Sequence, residues 1–172
     1  IPIIEVQLDP TGKLKLLSNG VELTKSTDSD LPSENDVALF LHTSGTTSRP
    51  QGVPLTHKNL MTSLSNITAS YNLTTDDRAM VVMPLFHVHG LIGVSLSSLL
   101  SGGSLVIPSR FSASTFWQDQ AYSQSTWYSA VPTIHQILLM RADSDNAPEK
   151  SFRFIRSCSA ALAPSVFSDL EN

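Results

Sequence analysis

"VALFLHTSGTTSRPQGVPLTHKNL", residues Val37 to Leu60, is the stretch on which the fold turns. It opens with the uninterrupted apolar run Val37–Leu41, and "VALFLHT" has the length expected of a strand buried in a sheet. The segment His42 to Gly52 follows, rich in Ser, Thr and Gly. Thr56 then stands where a helix N-cap is expected. After it, Leu60, Met61, Leu64, Ile67 and Tyr71 recur at spacings of three and four, which is helical. Strand, polar loop and helix in that order is a common setting for phosphate. The Ser and Thr hydroxyls, with backbone amides freed by Gly45, offer several donors to a triphosphate. The loop is not a Walker A loop, because no Gly-Lys-Ser/Thr occurs in the chain. On composition alone, a solvated and inert connection describes it better.

The same alternation continues downstream. "AMVVMPL", "SLVIP", "STWYSAV" and "FRFIRSCS" read as strands. "GLIGVSLSSLLSGG", "SASTFWQDQAYSQ", "PTIHQILLMRA" and "APSVFSDLEN" read as helices, capped by Ser112 or Ser114 in the second and begun by Pro132 and Pro164 in the last two. The expected fold class is therefore α/β, a mainly parallel sheet covered by helices. Ligands in such sheets bind where loops leave the carboxyl ends of strands, and loops 42–52, 84–90 and 157–162 qualify. Residues 1–35 are polar and turn-rich, with "DPTG", "SNG" and "STDSDLPSEND", and are expected to form a lead-in with short strands at most.

Composition excludes several functions. At 172 residues the chain is long enough for one domain with a core, and 41% apolar residues fit a soluble globular protein rather than a disordered one. A net charge of −4 with scattered Lys and Arg argues against a nucleic-acid groove. The single Cys158 excludes an internal disulfide and fits a reducing compartment. The stretch Ala79–Ser109 lacks Asp, Glu, Lys and Arg, but Pro84, His87, His89, Gly90 and Gly102-Gly103 interrupt it. No apolar run reaches the ~20 residues that a spanning helix needs. Asn66-Ile67-Thr68 and Asn72-Leu73-Thr74 match the glycosylation triplet, and chance explains them best. The chain begins without Met and stops inside a helical pattern, so it is expected to be a segment of a longer protein, incomplete at both ends.

Individual residues allow bland readings too. His87 and His89 are two metal-ligand types without a third nearby. His135 lies on an amphipathic helix, equally suited to a pocket rim or a plain helix position, and His42 and His57 suit structural roles. Trp117 and Trp127 suit the core, and Cys158 suits a small residue near a ligand better than a nucleophile. No Gly-x-Ser-x-Gly elbow exists, so a serine hydrolase is excluded.

The order of residues in the loop changes its reading. "TSGTTSRPQGV" resembles the Thr-Ser-Gly-Thr-Thr-Gly-x-Pro-Lys-Gly-Val signature of the adenylate-forming acyl-CoA synthetase and luciferase superfamily, and "THKNL" matches the helix start that follows it. "PLFHVHG" at 84–90 resembles the family's Pro-x-Phe-His stretch. "WYSAVPTIHQIL" also fits, and "RSCSAALAP" at 156–164 resembles Ser-Gly-Gly-Ala-Pro-Leu. Within the superfamily these stretches look most like the oxalate–CoA ligases of plants and fungi, from about Ala38 to the end.

The resemblance implies that residues 36–172 are part of the large N-terminal AMP-binding domain. It implies an ATP-dependent acid–thiol ligase that converts a carboxylate, here a small diacid such as oxalate, to an acyl adenylate and then to an acyl-CoA thioester. ATP, Mg²⁺ and coenzyme A are the implied cofactor and substrates, and the partners are small molecules only. Thr43, Ser44, Gly45, Thr46 and Thr47 then contact the β- and γ-phosphates, with Thr46 or Thr47 near ATP-bound Mg²⁺. Ser48, Arg49, Gln51 and Gly52 complete the nucleotide loop, and Ser159, Ala160 and Ala161 present backbone to adenine and ribose. His87 lines or gates the carboxylate pocket, with His89 and His135 as further candidates. Ser48 replaces the family's second Gly, as in the oxalate-like group. Gln51 replaces the usual Lys, which removes a cation from the phosphates. The later Tyr-Gly-x-Thr-Glu segment, the ribose-binding Asp and the C-terminal-domain Lys are absent, so this chain alone is expected to be inactive. A nucleotide-binding homologue without turnover, a synthetase for a fatty or aromatic acid and an unrelated phosphate-binding module are the rival readings. The expected location is cytoplasmic, with a peroxisomal one left open and the oligomeric state unknown.

Overall fold

A computed structural model describes residues 4–23, 31–43, 51–148 and 152–171. Its contacts divide the chain into two compact units, Ile1–Ser33 and Glu34–Asn172. The first is an antiparallel meander of β1 (Ile4–Leu8), β2 (Leu14–Ser18) and β3 (Val21–Glu22). Ser18 pairs with Val21 across Asn19 and Gly20, whose φ values of 52° and 77° make the two-residue hairpin turn that Asn-Gly favours. The β1–β2 turn closes on Asp9, whose Oδ1 accepts from the backbone N–H groups of Thr11 and Lys13 at 2.9 and 3.0 Å. Short strands were the most expected here, and the turn-rich composition makes the turns.

The second unit opens with β4 (Val37–Thr43), and here the expectation of a buried parallel-sheet strand fails. β4 pairs antiparallel with β5 (Gln51–Thr56), in register from Thr43↔Gln51 through His42↔Gly52 to Val37↔Thr56. Only Leu39 and Leu41 on β4 are partly covered, while Val37 and Phe40 are more than half exposed. The apolar run is thus a two-sided mixture rather than a buried strand. β5 escaped detection because Gly52 and Pro54 break any strand pattern. Pro54 is tolerated because β5 pairs on one side only among the described residues. A Cβ at Gly52 would collide with the Phe40 ring lying across the hairpin.

Helix α1 (His57–Tyr71) begins as expected at Thr56. The Thr56 hydroxyl accepts from the Asn59 N–H at 3.2 Å, and the Asn59 side chain accepts from the Thr56 N–H at 3.1 Å. This reciprocal cap satisfies two of the donors that a helix start leaves open. Asn72, at φ 49°, ends the helix in the left-handed region.

Four strands, β6 (Arg78–Met80), β7 (Ser104–Val106), β8 (Trp127–Ala130) and β9 (Phe154–Ser157), form one wholly parallel sheet in the order β7-β6-β8-β9. Between β6 and β7 the chain is helical from Val88 to Leu100: α2 (Val88–Gly90), a π-helical turn (Leu91–Leu96) and α3 (Ser97–Leu100). The Ser95 hydroxyl donates to the Gly90 carbonyl at 2.9 Å within that wide turn. Helix α4 (Phe116–Ser123) precedes β8, α5 (Pro132–Arg141) joins β8 to β9, and α6 (Pro164–Glu171) follows β9. Neither Ser112 nor Ser114 caps α4: their hydroxyls bond each other at 3.0 Å, and Thr115 occupies the cap position. Thr115 spends its hydroxyl on Asp119 at 2.9 Å, so no side chain caps the backbone there.

Both faces of the sheet are covered, which is why its strands read as continuous apolar runs. Side chains alternate between faces along β8, so Trp127 and Tyr128, both fully buried, enter different clusters. Tyr128 joins Met80, Phe116, Trp117 and Leu138, with the Phe116 ring edge-on at 5.1 Å. Trp127 joins Ala79, Val81 and Val94 and stacks on Phe154 at 4.9 Å. Asp77, just before β6, is 3% exposed and receives Arg153 through two nitrogens at 2.9 and 2.8 Å. Burial pushes its carboxyl up, but bonds from Arg153, the Thr74 N–H and Thr126, with the Arg153 charge, outweigh this and hold it below its ordinary value. No described helix is long and apolar enough to cross a membrane.

Candidate functional site

The sheet order creates the site. From β6 the chain goes outward to β7, then returns to place β8 on the other side of β6, so the topology reverses between β6 and β8. Loops diverge there and leave a crevice at the carboxyl ends of the strands. His87 and His89 follow β6, Ser129 lies in β8, and Arg156, Cys158 and Ser159 come from the end of β9 and its loop. His87, His89, Gly93, Arg156, Cys158 and Ser159 line a cavity of about 310 Å³ with residues of α1. Gly90 is required beneath it, because a Cβ there would collide with the carbonyls of Met83 and Pro84.

His87 is exposed at the start of α2, and its Nδ1 accepts the His89 backbone N–H at 3.1 Å. That bond fixes the ring and leaves Nε2 as the nitrogen facing outward chemistry. His89 is buried, at 5% exposure, with Nε2 2.7 Å from the Ser129 hydroxyl. Burial, followed by the charges of Arg156, His87 and His135, pushes its pKa down to about 4. It is therefore a neutral imidazole at neutral pH, able to donate or accept one hydrogen bond without carrying charge. The Cys158 sulfur lies 3.2 and 3.3 Å from the two ring nitrogens, against the imidazole rather than in line with one nitrogen. Arg156 Nη1 donates to Ser129 Oγ at 3.1 Å and to Cys158 Sγ at 3.3 Å.

The remaining anticipated residues distribute as follows. Ser159, Ala160 and Ala161 are exposed in the loop after β9, and Ser159 adopts φ 72°, a left-handed conformation that favours glycine. Thr43, Gln51 and Gly52 stand exposed at the loop end of the hairpin, with the Thr43 hydroxyl donating to the Gln51 carbonyl at 3.5 Å. Ser44, Gly45, Thr46, Thr47, Ser48 and Arg49 lie outside the described residues. His135 is fully buried in the first turn of α5, with Nδ1 3.0 Å from the Tyr128 hydroxyl, and is not on the cavity wall. Burial pushes its pKa down, against opposing backbone bonds at Ala130 and Arg156. The structure thus brings His87, His89 and Ser159 together and sets His135 in the core behind them.

Arg156 and Ser129 escaped the sequence reading. A charged residue inside the otherwise apolar strand "FRFIRSCS" was the available signal for Arg156. Ser129 carried none, since a serine in a small-residue stretch of a strand is unremarkable until its neighbours across the sheet are known.

Comparison with known proteins places these features. The AMP-binding enzyme family matches residues 3–172. The oxalate–CoA ligase of Arabidopsis thaliana is 58% identical over 140 residues, covering 80% of this chain and 27% of that protein. That of Saccharomyces cerevisiae is 53% identical over 137 residues, covering 80% of this chain and 25% of the relative. A solved malonyl-CoA ligase, a ternary product complex with methylmalonyl-CoA and AMP bound, superposes with a TM-score of 0.73 at 30% identity, over 85% of this chain and 32% of that one. The chain spans about a quarter of the length of the curated relatives it matches. The α/β architecture and the adenylate-forming resemblance both hold, and the chain belongs to the AMP-binding enzyme family, similar within it to oxalate–CoA ligases.

Proposed function

We propose that this chain is part of an AMP-forming acid–thiol ligase that activates a small diacid such as oxalate. The observation that carries this is its 53–58% identity, over four-fifths of its length, to two enzymes named oxalate–CoA ligase. The crevice supports it, because a cavity of about 310 Å³ lined by two imidazoles and a guanidinium, beside Ile67, Val88 and Ile92, offers an anion hydrogen-bond donors and a cation. In this reading residues 36–172 belong to the adenylation domain and residues 1–35 lead into it. The protein acts in the cytoplasm or the peroxisome.

Catalysis then runs through two displacements. The acid's carboxylate oxygen attacks the α-phosphorus of ATP, the bond to the pyrophosphate oxygen breaks, and an acyl adenylate forms. The sulfur of coenzyme A next attacks the acyl carbon and AMP leaves. Bringing an anion to a polyanion requires positioning and dispersal of charge. Neutral His89, fixed by Ser129 at 2.7 Å, orients the acid without adding a proton that would quench the nucleophile. His87, held by the His89 N–H, forms the exposed lip of the same pocket. The backbone of Ser159, Ala160 and Ala161 takes the adenosine, a role that their exposed loop with its left-handed turn at Ser159 leaves them free to fill. Thr43, Ser44, Gly45, Thr46, Thr47, Ser48, Arg49, Gln51 and Gly52 take the phosphates, Thr46 and Thr47 beside Mg²⁺. Among the described residues no group of three His, Cys, Asp or Glu offers a protein-only metal site. Thr46 and Thr47 would hold Mg²⁺ together with the nucleotide, and the ion would supply screening of the triphosphate charge.

Gln51 favours one second reading, a nucleotide-binding homologue with little turnover, because an amide does not neutralise phosphate. The test is pyrophosphate release by the full-length protein with ATP, coenzyme A and oxalate, malonate, a medium-chain acid or an aromatic acid. The diacid ligase reading expects oxalate to give the highest rate. Preference for a fatty or aromatic acid overturns the substrate, and absence of pyrophosphate with every acid, restored by none in Gln51→Lys, overturns the ligase.

A further inference from the structure

Two arginines leave β9 and its approach three residues apart, and their surroundings are opposite. Arg153 is neutralised by the buried Asp77 through two nitrogens, at 2.9 and 2.8 Å. Arg156 is half-buried, and its partners are a hydroxyl and a thiol, Ser129 and Cys158, both reached through Nη1. Among the described residues the ion pairs are Lys15–Glu22, Lys58–Glu34, Arg141–Asp145 and Arg153–Asp77, so no described carboxylate balances Arg156. A guanidinium withdrawn from water without a counter-charge is costly, and such a group persists where a ligand supplies the anion.

The neighbouring elements aim this cation into the crevice. Arg156 lies two residues beyond Phe154 and so shares its face of the sheet, where Phe154 stacks on Trp127 and Tyr71 packs against both. The Arg156 guanidinium carbon lies 5.6 Å from the Tyr71 ring centroid, which steadies the plane of the group. Its Nη1 lies 3.7 Å from where a Cβ would stand on Gly93, an ordinary contact distance that places the guanidinium beside this helical turn. Among the described residues the cavity wall it joins carries His87, His89, Cys158 and Ser159 and no Asp or Glu. Among the described residues on that wall Arg156 is the one permanent cation, and Ser129 and Cys158 engage one of its nitrogens and leave the rest of the fork to a ligand.

We propose that Arg156 is the residue that selects a dianionic acid, its guanidinium receiving the second carboxylate while the first is presented to ATP. The proposal rests on the ligase reading above for the identity of the acid. A planar fork matches a carboxylate in two parallel hydrogen bonds, so the site prefers a second carboxylate to an aldehyde, alcohol or methyl group at the same place.

The test compares full-length wild type with Arg156→Gln and Arg156→Lys, each saturated with a non-hydrolysable ATP analogue. Calorimetric binding of oxalate is set against glyoxylate, the monoanion of nearly the same size. Arg156→Gln is expected to lower the oxalate-to-glyoxylate affinity ratio on the order of 100-fold, as for loss of one partner of a desolvated charge pair, and Arg156→Lys to recover part of it. If Arg156→Gln does not melt cooperatively, Arg156→Met, which keeps the stem over Tyr71, is measured instead with the same expectation. A ratio that does not change, or equal weakening of both ligands, overturns the assignment. Pyrophosphate release by wild type is measured in parallel: its absence with every acid sinks the ligase reading, while the binding ratio still decides the role of Arg156.

Discussion

The β4–β5 hairpin and the crevice of the parallel sheet carry opposite kinds of information. The hairpin flanks the most motif-like stretch of the chain, yet its strands are largely exposed and pair only with each other among the described residues. The crevice is built at the ends of short parallel strands, and His89 and Ser129 are buried there to 5% exposure or less, with Trp127 buried in the core behind them. A loop that grips a polyphosphate needs accessible donors and little packing. A pocket that discriminates between acids needs side chains held by a core. Exposure suited to one task and burial suited to the other thus lie in different regions.

The largest effect that distinguishes them is on stability. Trp127→Ala removes a fully buried indole from between Ala79, Val94 and Phe154, and is expected to cost about 3–5 kcal/mol. Phe40→Ala on the hairpin, where the ring is 55% exposed, is expected to cost about 1 kcal/mol or less. Urea unfolding of both variants checks the contrast, and equal costs would break it.

The next effect is pH dependence arising in the crevice. His89 resists protonation when folded, with a pKa of about 4 against an ordinary 6.5. The unfolded chain therefore binds the proton first as pH falls, and the native state loses stability across that window, by about 3 kcal/mol. The contribution is complete above 6.5 and gone below 4. Because buried His135 is shifted in the same direction, the measurement is the difference between wild type and His89→Gln. Their stability curves are expected to converge as pH drops through the window, and parallel curves would contradict a buried neutral His89.

These regions also differ in how far the sequence revealed them. Helix α1 was legible because its start is local chemistry: Thr56 and Asn59 cap one another whatever lies elsewhere. The parallel strands were legible because burial on both faces leaves an apolar run, as in Trp127–Ala130. The hairpin was missed for a matching reason. Val37–Leu41 is as apolar as a buried strand, and nothing local in it states that its partner is the Gly- and Pro-containing segment Gln51–Thr56. The cap of α4 misled because Ser112, Ser114 and Thr115 are chemically equivalent candidates, and the choice depends on where Phe116 and Trp117 enter the core. In the site, the histidines were visible by type. Arg156 and Ser129 needed the strand order, which sets β8 between β6 and β9 and thereby joins residues 89, 129 and 156.

The smallest effect lies at the rim of the crevice. Ser159 pays for its left-handed φ of 72° with strain that glycine does not bear. Ser159→Gly is expected to stabilise the fold by up to about 1 kcal/mol, partly offset by the looser unfolded chain. A rise in urea midpoint sharpens the view of this turn as a shaped element, and a fall by more than that amount would contradict it.

In the proposed ligase the acid occupies the crevice at the carboxyl ends of β6, β8 and β9, apart from the loop proposed for the phosphates. A crystal structure of the full-length protein with a non-hydrolysable ATP analogue and oxalate tests it most directly. The acid is expected within hydrogen-bond reach of the His87, His89 and Arg156 side chains, with the triphosphate along residues 43–52. Oxalate bound elsewhere, with this cavity filled by protein or solvent alone, would contradict it.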